Sequence, residues 1–262
     1  VVSLRKRVDV AYLTISESIT GNIKDLLILW LLRNNVSKIV LHLHGGSFKV
    51  AVLERSWYLR KLNKLFLLQI DKVVITGKSH EEIFDGIVAP NRLAIVPNFA
   101  LQSLFTTRAK IQRKFANTEC TNVLYVSGMD SRKGYANLLD AYLSLPADVR
   151  GRLRLDFAGR FEDPAEQAEF EQRISESEDI TYHGVVDGDH KRDLFARAHV
   201  FCLPTAYLEG QPLTILEAYA SGCLVLTTPQ PGILDVFEPG VNGQLISTND
   251  TALLQENLET IA

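Results

Sequence analysis

Short runs of β-branched and aliphatic residues alternate with amphipathic stretches along the whole chain, which is the rhythm of strand, helix, strand. The pattern predicts strands at Val8–Leu13, Lys38–His44, Lys72–Thr76 and Leu93–Pro97, with helices at about Ile23–Arg33, Glu54–Gln69 and Ser79–Ile87. From Gln102 to Thr121 the chain turns polar and the periodicity is lost, so a linker is expected at 104–119. The rhythm resumes at Val123–Val126 and predicts further strands at Leu153–Ala158, Ile180–His183, Val200–Leu203 and Leu224–Thr228. Helices are expected between them at Tyr135–Leu145, Pro164–Ser175, His190–Ala198 and Leu213–Ala220, with a closing helix near Thr251–Ile261. The expectation is an α/β protein of two parallel-sheet domains, 1–103 and 120–262, facing a cleft. Ligands of open parallel sheets lie beyond the carboxyl ends of the strands.

Composition narrows the class. With 262 residues, 46% hydrophobic and 23% charged, the chain is neither disordered, collagen-like nor a coiled coil. Cys120, Cys202 and Cys223 form no Cys-x-x-Cys pair and leave an odd count, which argues against a disulfide framework or a zinc knuckle and fits a reducing cytoplasm. The longest apolar run, Leu26–Leu32, is far short of the ~20 residues that span a bilayer, and Val1–Arg7 lacks a signal-peptide pattern. The net charge of −3 hides an asymmetry: residues 1–103 carry 14 Lys+Arg against 8 Asp+Glu, and residues 120–262 carry 10 against 22. A basic half reads equally as a face for an anionic surface or substrate and as a solvated exterior.

The densest chemistry is Tyr207–Gly222, which follows the strand Val200–Leu203. Gly210, then Pro212 near the first helical position, marks a helix N-terminus with free backbone donors, where anions bind. Glu209 precedes that helix and Glu217 lies two turns inside it. Carboxylates accept from hydroxyls while amides take a diphosphate, a pairing that suits a sugar nucleotide.

With Ser221–Thr227, this Glu-x7-Glu element resembles the hallmark of the retaining glycosyltransferases of family 4, of GT-B fold, such as those of bacterial exopolysaccharide and lipopolysaccharide synthesis. Val123–Tyr135 (VLYVSGMDSRKGY) is similar to that family's strand, loop and helix ending in Lys-Gly, and Gly232–Gly243 (GILDVFEPGVNG) to its closing loop. The resemblance implies two Rossmann-like domains facing a cleft. It implies that Glu217 holds the donor ribose, that Glu209 with Gly210, Gln211, Pro212 and Leu213 meets the transferred sugar, and that Lys133 binds the leaving diphosphate. Gly159, Arg160 and His183 would border the nucleobase of a UDP- or GDP-sugar. His44, at the carboxyl end of Lys38–Leu43, would line the sugar, with Gly45 and Gly46 on the acceptor side leaving room for a ligand; His42 reads as a core residue and Asn98 as a cap at the domain junction.

Two departures stand out. Met129 follows Gly128 where the family carries Arg, so Arg132 or Arg160 would complete the cationic clamp. Gln230-Pro231-Gly232 replaces a common Gly-Gly pair. Relatives also open with a strand and glycine-rich loop and close with a crossing helix, so the chain is expected to be truncated at both ends.

The implied function is transfer of a sugar from a nucleotide donor to a hydroxyl of a glycan or lipid-linked glycan, with retention and without metal or other cofactor. The rivals are a catalytically degenerate scaffold or glycan-binding partner and, more weakly, a nucleotide-sugar epimerase. His80, His190 and His199 show no metal-ligand spacing, and an acidic second half disfavours nucleic acid. The basic and aromatic stretch Glu54–Phe66 reads first as a helix with its apolar stripe in the core and its basic residues in water. The competing reading is a helix lying on an anionic membrane, which would hold a cytoplasmic enzyme at the inner face.

Overall fold

The computed structural model describes residues 8–116, 119–247 and 250–262. Val1–Arg7, and Asn117 and Thr118 of the expected linker, lie outside the described residues. The chain begins β1 (Val8–Thr14), α1 (Ile19–Leu32), β2 (Val36–Leu43), α2 (Trp57–Leu67), β3 (Lys72–Ile75) and β4 (Leu93–Ile95). It continues α3 (Arg108–Ala116), β5 (Thr121–Val126), α4 (Tyr135–Leu143), α5 (Ala147–Arg150), β6 (Leu153–Ala158), α6 (Pro164–Ile174), β7 (Ile180–Tyr182) and α7 (Gly188–Arg197). It ends β8 (Val200–Leu203), α8 (Leu213–Ala220), β9 (Leu224–Thr227), α9 (Pro231–Leu234), β10 (Gly243–Leu245) and α10 (Thr251–Ile261).

Two compact α/β units result. One gathers the described residues up to Asn98 with Leu208–Gln211 and Pro231–Val236; the other holds Phe99–Tyr207, Pro212–Gln230 and the described residues from Phe237 on. The first unit is a four-stranded sheet in the order β1-β2-β3-β4, parallel throughout. Each crossover steps the same way along the sheet, so the right-handed rule puts α1 and α2 side by side on one face. Leu26 and Leu29 of α1 and Leu59 and Leu67 of α2 join Leu41, Leu43, Val73 and Ile75 of the strands in one core.

Caps set the helix starts. Ser18 accepts from Gly21 N (3.1 Å) and Ser56 from Leu59 N (3.3 Å). Helix α1 therefore begins before the expected Ile23 and α2 after the expected Glu54, with a separate π-helical turn upstream at Lys49–Leu53. The helix expected at Ser79–Ile87 is a 3₁₀ helix, Lys78–Phe84, which ends just before Gly86 in the left-handed region (φ 67°).

The second unit is a six-stranded parallel sheet in the order β10-β9-β8-β5-β6-β7. Its strand order reverses between β5 and β8, which opens a crevice at their carboxyl ends. The stretch expected as an aperiodic linker carries α3 and packs within this unit. Helix α3 itself buries no residue; instead Lys114 Nζ donates to the carbonyls of Ala198 (2.7 Å) and Ser221 (2.9 Å). Burial lowers the Lys114 pKa below its ordinary value. Among the described residues no helix is long and apolar enough to cross a membrane.

Candidate functional site

In the second unit the chain leaves β5 through Ser127 to Asp130 and makes one 3₁₀ turn, Ser131–Lys133. The Asp130 carboxylate caps that turn by accepting from Arg132 N (2.9 Å). Gly134 follows in the left-handed region (φ 83°) with its α-carbon against the Pro204 carbonyl, a place no side chain fits. The Arg132 carbonyl accepts from Ala206 N (2.7 Å) and Tyr207 N (3.1 Å), clipping the β5 loop to the β8 loop at the strand reversal. Lys133 Nζ and the Arg132 guanidinium lie 5.3 Å and 5.1 Å from the Tyr207 ring centre. A crevice of about 540 Å³ is lined by Gly128, Asp130, Arg132, Lys133, Arg160 and Glu162, among others.

Arg132, Lys133 and Arg160 thus meet in one crevice, but not on equal terms. Arg132 donates twice to Asp130 (3.0 and 2.6 Å), and these bonds hold the Asp130 carboxyl below its usual range. Met129 borders the same crevice yet is only 2% exposed, and its N–H donates to the Arg160 carbonyl (2.9 Å).

On the next strands, Pro212 is the N-cap of α8, one residue earlier than the first helical position, and Leu213 opens the helix with its side chain half exposed. Glu217 is buried on α8. Lys191 Nζ of α7 donates to Oε1 (2.7 Å) and stands equally close to Oε2, an oxygen with no hydrogen bond of its own. His183 Nε2 lies 2.5 Å from Asp156 Oδ1, which also accepts from Arg197 (3.2 Å). The Gly159 α-carbon rests on the Ser127 carbonyl, where a side chain would collide.

In the first unit His44 is exposed at the carboxyl end of β2 and His42 is buried one turn of the pleat earlier, their rings 3.8 Å apart. The Tyr12 hydroxyl hydrogen-bonds His42 Nδ1. Burial first, and His44 second, push the His42 pKa down. Glu209 is only 8% exposed. His80, itself buried, hydrogen-bonds the Glu209 backbone, and Ser79 donates through Oγ to Asp235 (2.6 Å).

The glycines here are used differently from the expectation. The α-carbon of Gly46 lies against the Glu209 carbonyl, that of Gly210 against the His44 carbonyl, and that of Gly232 against the Gly210 carbonyl. Room kept for a ligand is thus filled by the protein's own backbone: three loops touch main chain to main chain. Gly45 faces a side chain instead, the Glu17 carboxylate. Gln211 is a brace: its Oε1 accepts from Asn98 N (2.6 Å) and its carbonyl from Asn98 Nδ2 (2.7 Å).

Glu17 has no place in the sequence expectations. It sits after β1, and its Oε1 accepts from Ser47 N (2.7 Å) and Phe48 N (3.0 Å), fixing the loop that carries His44. Burial raises its pKa, against the pull of those two N–H groups and with a further push from Glu209. The available signal was position alone: a carboxylate at the carboxyl end of a parallel strand. Among the described residues no three His, Cys, Asp or Glu are placed to hold a metal ion.

Comparison with known proteins agrees with this geometry. Over 137 residues the chain is 31% identical to the O-antigen chain mannosyltransferase B of Escherichia coli, covering 52% of this chain and 35% of that protein. It is 23% identical over 228 residues to an uncharacterized glycosyltransferase of Methanocaldococcus jannaschii, 83% of this chain and 57% of the other. The chain therefore spans about a third and just over half of these two relatives. Anabaena HepE in complex with UDP and glucose superposes with a TM-score of 0.72 at 18% identity, over 96% of this chain and 68% of the other, in keeping with the GT-B fold of two parallel-sheet units. Residues 120–262, more than half of the sequence, match the family model described as Glycosyl transferases group 1, and the chain belongs to that family.

Proposed function

We propose that this chain carries the donor site and part of the acceptor side of a retaining glycosyltransferase. It moves a sugar from a nucleotide-sugar donor, a UDP- or GDP-sugar, to a hydroxyl of a glycan or lipid-linked glycan in surface polysaccharide synthesis. The observation that carries this reading is the crevice at the strand reversal, where Arg132, Lys133 and Arg160 gather at the carboxyl end of the sheet. A nucleoside diphosphate leaves with developing negative charge, and fixed cations stabilise it in the role a metal plays elsewhere. The Glu217 carboxylate, ion-paired with Lys191, is the acceptor this reading assigns to a ribose hydroxyl. Relatives support the direction: one is a mannosyltransferase, and a structure of the same fold holds UDP and glucose.

In the reaction the acceptor oxygen bonds to the anomeric carbon on the face from which the phosphate departs. The bond from that carbon to the phosphate oxygen breaks, and the acceptor's proton passes to the phosphate oxygen. Glu209 and His44 orient the sugar, and Lys133 takes the charge. Screening hydrolysis and transfer with a panel of UDP- and GDP-sugars tests this. Turnover of at least one donor that collapses in Lys133→Ala supports it, and equal rates in both proteins refute it.

Burial of Met129 where the family resemblance implies Arg favours a second reading, a scaffold that has lost donor chemistry. Calorimetric titration separates the two, since a scaffold gives no saturable binding of any nucleotide sugar.

A further inference from the structure

The second unit carries two surfaces of opposite charge that one chain cannot bring together. Helix α6 and the segment after it form the first. From Glu162 to Asp179 there are eight acids and a single base, Arg173, which is taken by Asp140 (2.5 Å). Phe170 holds the helix down, its ring against Tyr135 of α4. Glu162, Asp163 and Glu166 border the crevice of Lys133, while Glu169, Glu171, Glu176 and Glu178 are exposed.

The second surface is a trough at the amino ends of the strands, between α3 and α7. Two hollows of about 520 and 600 Å³ share Lys110, Lys114 and Ala196. The larger is lined by Lys110, Arg113, Lys114, Arg154 and Arg197 against one acid, Glu119. Lys114 is committed to carbonyls and Arg197 to Asp156. Lys110, Arg113 and Arg154 are exposed and, among the described residues, pair with no carboxylate. Positive charge thus collects at one place on a unit whose residues 120–262 carry 10 Lys+Arg against 22 Asp+Glu. Topology keeps the two surfaces apart. The connections β5 to β6 and β6 to β7 run one way along the sheet and β7 to β8 runs the other. The right-handed rule therefore sets α4 and α6 on one face and α7, a wall of the trough, on the opposite face. The acidic helix cannot cover the basic trough of its own chain, but a neighbour's can.

We propose that this chain associates head to tail with copies of itself, the acidic face of α6 in one copy seating in the α3–α7 trough of the next. Acid meets base at contact distance, whereas the repulsion between two molecules of net charge −3 is screened beyond about 10 Å at 0.1 M salt. Two different patches on one subunit make a heterologous contact, which adds copy to copy instead of stopping at a symmetric pair. Sedimentation velocity over a concentration series tests it. At low salt the average mass should climb with concentration, and at high salt it should return to that of one chain. The double substitutions Lys110→Glu with Arg113→Glu, and Glu169→Lys with Glu176→Lys, should each weaken association about tenfold or more, because each sets like charges in contact. Mixing the two variants should restore it, since every mixed contact again pairs acid with base. Both variants are taken forward only with the parent's thermal unfolding, which exposed positions permit. The proposal is overturned if the chain stays a monomer at every concentration in low salt, or if association survives either double substitution. It is equally overturned if the mixed variants remain monomeric, or if the trough binds polyglutamate while the chain alone does not associate.

Discussion

The α-carbon of Gly210 rests on the carbonyl oxygen of His44, so the residue after the first glutamate of the Glu-x7-Glu element and the histidine ending β2 share one backbone contact. Neither has slack. A methyl at Gly210 would occupy the space of that oxygen, and the neighbouring Gly46 and Gly232 contacts leave the loop nowhere to retreat.

Gly210→Ala is accordingly expected to cost about 1–3 kcal/mol of stability through overpacking. A urea titration of the first unit checks it, and an unchanged midpoint counts against the contact.

Replacing Lys133 by Ala is expected to lower turnover of the donor by about 10²- to 10³-fold, the usual range for removing one charge-stabilising group. Its side chain borders an open crevice rather than the core, so the far-ultraviolet spectrum and melting temperature should stay put. Measuring rate and melt on one sample separates lost chemistry from lost fold.

Glu217→Gln keeps an acceptor but discards the charge. The loss expected in donor kcat/KM is about tenfold, the gap between a charged and a neutral hydrogen bond. Lys191→Ala should act on stability as well, because it strips the buried carboxylate of its cation. Steady-state kinetics read beside thermal melts distinguish the two roles.

Burial is the leading cause of the lowered His80 pKa, opposed by nearby Asp235. The folded chain therefore prefers the neutral ring and the unfolded chain takes the proton more readily. Stability is complete above the ordinary histidine value of about 6.5 and falls as pH drops through the depressed one. His80→Asn should flatten part of that acid slope, leaving the shares of His42 and His199, which shift the same way. Urea midpoints from neutral pH downward measure it.

Met129→Arg would restore the residue type expected from the family resemblance, yet no better clamp should result. The side chain borders the crevice but is only 2% exposed, and burying a guanidinium there should cost about 3 kcal/mol or more. Chemical denaturation shows the loss, and titration with UDP or GDP should show no gain.

Val200–Leu203 is legible because every residue is apolar between His199 and Pro204, and Leu153–Ala158 because Arg154 and Asp156 alternate with apolar residues up to Gly159. Helix α3 is not, since its hold on the unit comes from a lysine donating to carbonyls, which leaves no hydrophobic period to read. The burial of Met129 is equally hidden, because a residue after a loop glycine can border a crevice either exposed or packed. Glu17 stays silent for a further reason: its partners are backbone N–H groups, and those have no residue type. The glycines of the site are visible, but what they press against comes from segments far apart in the chain.

Because Leu208–Gln211 and Pro231–Val236 fold with the first unit while the residues around them fold with the second, no single crossover point separates the two. A chimera that exchanged the carboxyl half between relatives, in the hope of importing a new donor preference, would also import foreign inserts into the resident unit, opposite glycines that evolved with other neighbours. Recombination that spares these ten residues, and trades only what flanks them, is the modular exchange this architecture allows.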